Sequence, residues 1–157
     1  SNIDLIMNLQ GDEPLINIED IKKLRYRMIE YKSGLGTLGS KISNKEIFDN
    51  QNAVKVITEK VLDNSNFLKA INFMRKTSIK TQNIYHHLGI YCYQKETLKK
   101  FVSLKQSPNE IKKRLEQLRA LDNNININVA LAESSIKGVD TESDFVAIKK
   151  IMEYKIE

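Results

Sequence analysis

Apolar residues along this chain switch repeatedly between two spacings, and those switches limit what it can fold into. Ile3, Leu5, Ile6 and Met7 form an apolar run of strand length, after which Ile18, Ile21 and Leu24 recur at helical spacing. Val54 to Thr58 alternates as a strand, and Phe67 to Met74 does so more loosely beyond the Asp63-Asn64-Ser65-Asn66 turn, so the two predict a hairpin. His86 to Tyr93 is a strand rich in aromatic and β-branched residues, and Ile125, Ile127, Val129 and Leu131 alternate in another. Helical segments separate most of these runs. Interleaving of this kind predicts an α/β sheet, mostly parallel, with an antiparallel hairpin flap at residues 54–74. The 157 residues suffice for one domain, 1–157, with a single core.

The helices carry end signals of their own. Asn17 or Asp20 can cap a helix with Ile21, Leu24, Met28 and Ile29 on its apolar side, ending near Ser33-Gly34. Gly34 to Ile42 is glycine-rich but lacks the Lys-Ser/Thr of a phosphate-binding loop and the spacing of a dinucleotide fingerprint, so it reads as a strand between turns. Asn44 to Asp49 is a short helix, and Lys95 to Val102 has helical character. Ser107 at a cap, Pro108 in the first turn and Glu110 at the capping-box position open a helix with Ile111, Leu115, Leu118 and Leu121 along its apolar face. A final helix is expected from Glu142 to Lys155, capped by Asp140 or Thr141, with Phe145, Ile148, Ile151 and Met152 toward the core.

Composition narrows the class. With 41% hydrophobic and 29% charged residues the chain is globular rather than disordered. The net charge of +5 is spread along helical stretches, and no basic cluster interleaves with aromatics as a nucleic-acid surface requires. The densest basic stretch, Lys95 to Arg119, sets eight Lys or Arg against three Glu at the spacings of a solvated helix face. One cysteine, Cys92, excludes an internal disulfide and a cysteine-built zinc site, which fits a reducing compartment. With no signal peptide at the start and no membrane-spanning apolar run, a cytoplasmic location is expected. The chain begins almost directly on a strand without Met, as a piece of something longer would.

Several polar positions are candidates for a site. Asn8 to Leu15 (Asn-Leu-Gln-Gly-Asp-Glu-Pro-Leu) follows the first strand, at the sheet edge where α/β proteins bind ligands. There Gly11 allows close backbone approach and Asp12 and Glu13 supply hard oxygen ligands; the alternative is an acidic turn ending a strand. Arg75, at the end of the second hairpin strand, is either a surface residue or an anion clamp. His86 and His87 are adjacent on a strand and point to opposite faces, which disfavours a shared metal and favours one histidine hydrogen-bonding a ligand. A period of two puts His87, Gly89 and Tyr91 on one face. Glu116 and Gln117, neighbours on the expected helix, point about 100° apart and reach one ligand only across that helix's edge. Gly138-Val139-Asp140-Thr141 is by itself a routine helix start.

Four of these stretches together resemble one family, the 3-deoxy-manno-octulosonate (Kdo) cytidylyltransferases. They are Asn8 to Leu15, His87-Leu88-Gly89-Ile90-Tyr91, Leu115-Glu116-Gln117-Leu118-Arg119 and Gly138-Val139-Asp140-Thr141, in the family's order and approximate spacing, from residue 1 to about Met152. The resemblance implies transfer of a cytidylyl group from CTP to the anomeric hydroxyl of Kdo, with release of pyrophosphate, in lipopolysaccharide biosynthesis. It also implies a Rossmann-like sheet of the nucleotide-diphospho-sugar transferase type and a homodimer, for which the 54–74 hairpin is the candidate surface. Asp12 and Asp140 fall on the family's catalytic and Mg²⁺ positions, two carboxylates suited to an octahedral ion that keeps several waters. Gln10, His87, Tyr91, Glu116 and Gln117 would line the Kdo pocket, and Arg75 would pair with the sugar carboxylate. The residues after Arg75, Lys76-Thr77-Ser78, depart from the family's usual proline-bearing sequence. The family's amino-terminal, triphosphate-holding region has no counterpart here, so the sheet is expected to be incomplete on that side, active with a separate amino-terminal half or inactive as it stands. Two alternatives stay open: a non-catalytic remnant or dimerising module, and cytidylyl transfer to another acidic sugar such as sialic acid or 8-amino-Kdo.

Overall fold

The computed structural model describes residues 4–10, 17–42, 45–78 and 81–133, together with Glu142, Phe145, Val146 and Lys149. In chain order the elements are β1 (Leu5–Asn8), α1 (Ile18–Glu30), β2 (Leu35–Lys41), α2 (Lys45–Asp49), β3 (Lys55–Thr58) and β4 (Leu68–Met74). There follow β5 (Ile84–Gln94), α3 (Lys95–Ser103), α4 (Pro108–Lys113), α5 (Leu118–Asp122) and β6 (Asn128–Leu131). Asn17 caps α1 by accepting from the Glu19 N–H, whereas Asp20, the other candidate cap, is buried and accepts from the Glu133 N–H beyond β6.

The sheet is built on β5. Its one edge pairs along the whole of β2, and its other edge pairs with β3 near Ile84–His86 and with β1 near Tyr91–Gln94, all antiparallel. β6 lies parallel to β2, and β4 bridges β6 to β3. Among the described residues the β2–β6 pairing is thus the parallel one, so the sheet is mixed, not mostly parallel. Strands β1, β2, β3 and β6 do share one direction, but β5 runs the opposite way between them. A long, largely buried strand such as β5 reads equally well in either sense, because burial on both faces says nothing about direction.

The hairpin expectation holds for β3 and β4, which pair antiparallel. It does not stand off the sheet as a flap: β3 also joins β5, and β4 joins β6, so the pairings run β5–β2–β6–β4–β3 and return to β5. Gly39 allows close packing inside this curl, since a Cβ there would lie 3.0 Å from Tyr85 Cβ and 3.2 Å from Val129 Cγ1. Val56 and Phe73 are fully buried inside the curl, while Ile71 on β4 stays 58% exposed.

Each face of the sheet has its own cover. α1 packs Leu24 and Met28 against Leu38, Leu88, Ile90 and Cys92. Gly36 lets α1 come close: a Cβ there would lie 2.6 Å from both Met28 Sδ and Phe67 Cζ. On the opposite face, α3 to α5 bring Phe101, Leu115 and Leu118 onto Leu35, Tyr91 and Tyr93. The Gly138 to Thr141 motif and most of the expected final helix lie outside the described residues. Phe145, expected toward the core, is 50% exposed.

Candidate functional site

A cavity of about 290 Å³ opens on the face covered by α3 to α5, bounded by the end of β1, the middle of β5, residues 52–54, Arg75 and residues 114–117. Gln10, Arg75, His87, Tyr91, Glu116 and Gln117, which come from distant parts of the chain, all line it. Asp12 and Asp140 lie outside the described residues, and among those described no cluster of His, Cys, Asp or Glu could hold a metal ion. Gln10 nevertheless brings the chain to the cavity two residues before Asp12.

His87 is held most firmly. Its Nε2 lies 2.9 Å from Thr37 Oγ1, which in turn lies 2.7 Å from the Ile90 carbonyl and 3.2 Å from that of Leu88. A hydroxyl has one proton, and the carbonyls can only accept it, so Thr37 accepts from His87 Nε2–H. This network assigns the Nε2–H tautomer and leaves Nδ1 as an acceptor. Burial, with His86 alongside, pushes the His87 pKa down to about 3, so the ring is neutral at physiological pH. It can accept a hydrogen bond from a sugar hydroxyl, and it is not an acid. Phe73 meets its ring edge to face at 5.0 Å.

The period of two expected for His87, Gly89 and Tyr91 is present and continues one step further to Tyr93. Tyr91 lies 5.5 Å from His87, Tyr93 lies 6.2 Å from Tyr91, and Phe101 of α3 lies 6.0 Å from Tyr93. Gly89 leaves a gap in this aromatic row, and the cavity opens over it. Burial, reinforced by the Glu116 carboxylate, pushes the Tyr93 hydroxyl up to about 12. Tyr93 was within reach of the same periodicity argument.

Glu116 and Gln117 require a correction. They do not sit on one continuous helix, because the chain breaks at Arg114 (φ 52°, ψ 50°) between α4 and α5. Both residues lie in the connecting turn, Gln117 buried and Glu116 exposed. The predicted capping box is present: Ser107 accepts from the Glu110 N–H, and Glu110 accepts from the Ser107 N–H. Glu110 does a second thing that its position did not announce. It takes a two-pronged contact from Arg119, with Nε donating to Oε2 at 2.8 Å, and Arg119 also stacks 4.9 Å over Phe101. The Arg119 guanidinium holds the Glu110 carboxyl down to about 2, against the opposing effect of burial. This pair ties the start of α4 to α5 and so holds the turn between them.

Arg75 and Arg114 are the Lys or Arg residues that line the cavity among the described residues. Arg75 Nη1 faces the carbonyls of Gln51 and Asn52 at 3.4 and 3.2 Å, and Nη2 faces that of Arg114 at 3.5 Å. Beneath it Lys55 is fully buried and donates to the carbonyls of Asn50 and Arg75. Burial lowers the Lys55 pKa, the Asp49 carboxylate opposes this, and Arg75 adds to it. His86 pairs opposite Lys55 in the sheet, and burial followed by the lysine charge lowers its pKa. His86 also borders the cavity, and its Nδ1 is buried with no hydrogen-bond partner among the described residues.

Comparison with known proteins gives these residues a context. A family described as Cytidylyltransferase matches residues 1–127. The 3-deoxy-manno-octulosonate cytidylyltransferase of Bartonella bacilliformis is 36% identical over 148 residues, which is 94% of this chain and 60% of that protein. The enzyme of the same name from Rhodopseudomonas palustris is 36% identical over 151 residues, 96% of this chain and 61% of that one. The chain therefore spans about 60% of the length of these curated relatives. A CMP:2-keto-3-deoxy-manno-octonic acid synthetase solved in complex with CTP matches at TM-score 0.83 and 28% identity, over 99% of this chain and 64% of that one. The 4-diphosphocytidyl-2C-methyl-D-erythritol synthase of Anaerococcus prevotii, at 12% identity and TM-score 0.56, shares the fold. With most of its length inside the family match, this chain belongs to the cytidylyltransferase family.

Proposed function

We propose that this chain is the sugar-acid-binding part of a Kdo cytidylyltransferase, which joins CTP and Kdo to give CMP-Kdo and pyrophosphate for lipopolysaccharide biosynthesis in the cytoplasm. The observation that carries this reading is the gathering of Gln10, Arg75, His87, Tyr91, Glu116 and Gln117 around one cavity. At about 290 Å³ it is the size of a small-ligand site, and its lining suits an anionic polyol. His87 Nδ1 and the Glu116 carboxylate accept hydrogen bonds from hydroxyls, Gln10 and Gln117 can both donate and accept, and Arg75 and Arg114 supply positive charge for a carboxylate. Aromatic rings on β5 and α3 form the floor.

In this proposal Asp12 and Asp140 hold Mg²⁺. β1 and β6 run in the same direction, and in the sequence Asp12 follows the first and Asp140 the second. Two carboxylates are the donor set this hard cation takes beside phosphate oxygens and water. When bound, the ion supplies neutralisation of phosphate charge. The protein's own share is to orient the sugar, so that its anomeric hydroxyl meets the nucleotide in line, and to hold its carboxylate away from the phosphates.

The relatives are longer than this chain, and we assign the triphosphate-holding region to a segment outside it. A homodimer through the outer face of the β3–β4 hairpin, around Ile71, belongs to the same proposal. The test is cytidylyl transfer with CTP, Kdo and Mg²⁺, with and without an added amino-terminal segment from a relative. Activity that appears on addition and is abolished by Asp12→Ala is the expected result. Absence of Kdo binding in either state would overturn the reading, and parallel trials with sialic acid and 8-amino-Kdo fix the acceptor.

A further inference from the structure

A lysine is almost never fully buried without a carboxylate to pair with, because its ammonium is costly to take out of water. Lys55 is fully buried, and among the described residues no carboxylate lies within ion-pair distance of it. Asp49 acts on it only from further away. What the ammonium touches instead are two main-chain carbonyls, that of Asn50 and that of Arg75, the latter at 2.8 Å. The stem of Lys55 is fixed from both sides, since it opens β3 opposite Met74 of β4 and His86 of β5.

The two carbonyls are far apart in the chain, and together they bracket Arg75. One belongs to Arg75 itself, at the point where its side chain leaves the end of β4. The other opens the segment 50–54, of which Asn52, Ala53 and Val54 line the cavity. The Arg75 guanidinium rests on that same segment, facing the carbonyls of Gln51 and Asn52 at 3.4 and 3.2 Å, and it faces the Arg114 carbonyl at 3.5 Å. These contacts are long for N–H···O bonds, so the guanidinium is placed by where the carbonyls lie rather than by short bonds of its own. Lys55 fixes both the root of Arg75 and the segment on which it rests.

Resting on the sugar-acid reading above, we propose that Lys55 is a positioning residue for the cavity, holding Arg75 and residues 50–54 in the arrangement that meets a sugar acid. Lys55 does not touch the ligand and acts through Arg75. A methionine in its place fills similar space and removes a buried charge, but it has no donor for the Asn50 and Arg75 carbonyls.

The test reads the Arg75 side chain directly. Its Nε–Hε signal in nuclear magnetic resonance, assigned by its loss in Arg75→Gln, is as restrained as the backbone on the nanosecond scale in the natural chain, and mobile in Lys55→Met and Lys55→Gln. Titration calorimetry with Kdo then separates positioning from general support. Lys55→Met raises the dissociation constant roughly 10-fold, as displacement of a binding group does. Arg75→Gln raises it too, and the double variant binds no more weakly than Arg75→Gln alone, because residues that act as one unit are not additive. A residue that only supports the fold weakens binding by the same factor in both backgrounds. That result, an Arg75 signal that stays restrained without Lys55, or failure of both Lys55 variants to fold would overturn the assignment of Lys55 while the functional reading stands. A natural chain that binds no Kdo overturns the functional reading, and the Arg75 signal still decides what Lys55 holds in place.

Discussion

His87 shows what a single side chain contributes and how much of it was legible. Its place on the ligand side of a strand followed from the period of two with Gly89 and Tyr91. Its tautomer and its neutrality did not, because the first depends on Thr37, fifty positions away in the chain, and the second on burial, with Phe73 against the ring, and on the neighbouring His86. The same burial makes stability depend on pH. Unfolded, the imidazole takes a proton near pH 6.5; folded, it does so only near pH 3. Between these values the unfolded chain binds more protons, so stability is lost as pH falls below about 6.5, by at most about 1.4 kcal/mol per pH unit from this group. Urea denaturation at pH 7 and pH 5 should show His87→Asn losing roughly 2 kcal/mol less than the natural chain between the two. An equal loss in both would mean that His87 becomes charged in the folded protein. Lys55 is the opposite lesson: nothing in the sequence singled it out, and its burial goes with the pairing of its strand to both β4 and β5.

Among the elements, α4 and α5 were the least legible. Ser107, Pro108 and Glu110 correctly marked where α4 begins. Nothing marked where it ends, because Arg114 is a good helix former and Ile111, Leu115, Leu118 and Leu121 keep helical spacing through the break. In the fold Ile111 is 61% exposed, and Leu115 is buried from the turn rather than from a helix face. What holds the broken helix is the Glu110–Arg119 pair, whose two side chains are only 5% and 13% exposed. Removing one partner strands the other. Arg119→Met should cost about 3 kcal/mol in urea denaturation, and the double variant with Glu110→Gln should regain most of it, since neutral partners leave no buried charge. If the single and double variants lose the same amount, the pair does not hold this turn. The α1 face was easier to read, as Leu24 and Met28 followed from spacing, but the need for Gly36 beneath them appears only once Phe67 is seen beside it.

At the scale of the molecule, interleaved strands and helices correctly foretold an α/β sheet, while strand direction and order were hidden because they depend on pairings between distant segments. One consequence of that order bears on the proposed missing region. β5 is paired on both edges, whereas β1 is bonded to β5 on one edge and has no strand on the other among the described residues. Leu5, Ile6 and Met7 are only partly buried there, although they form an apolar run. An open, apolar strand edge is a template for another strand, and proteins normally cover it. The curated relatives have the length to do so, since this chain spans 60% of one of them. In an antiparallel pair, alternate residues direct their N–H groups to the partner, and the remaining ones point away. Hydrogen exchange of this chain should therefore show alternate amides of β1 protected by β5 and the intervening ones exchanging fast. Adding the amino-terminal segment of a relative should slow those intervening amides and raise the melting temperature, before any substrate is present. If the segment restores cytidylyl transfer without protecting β1, it docks elsewhere and the sheet does not continue through this edge.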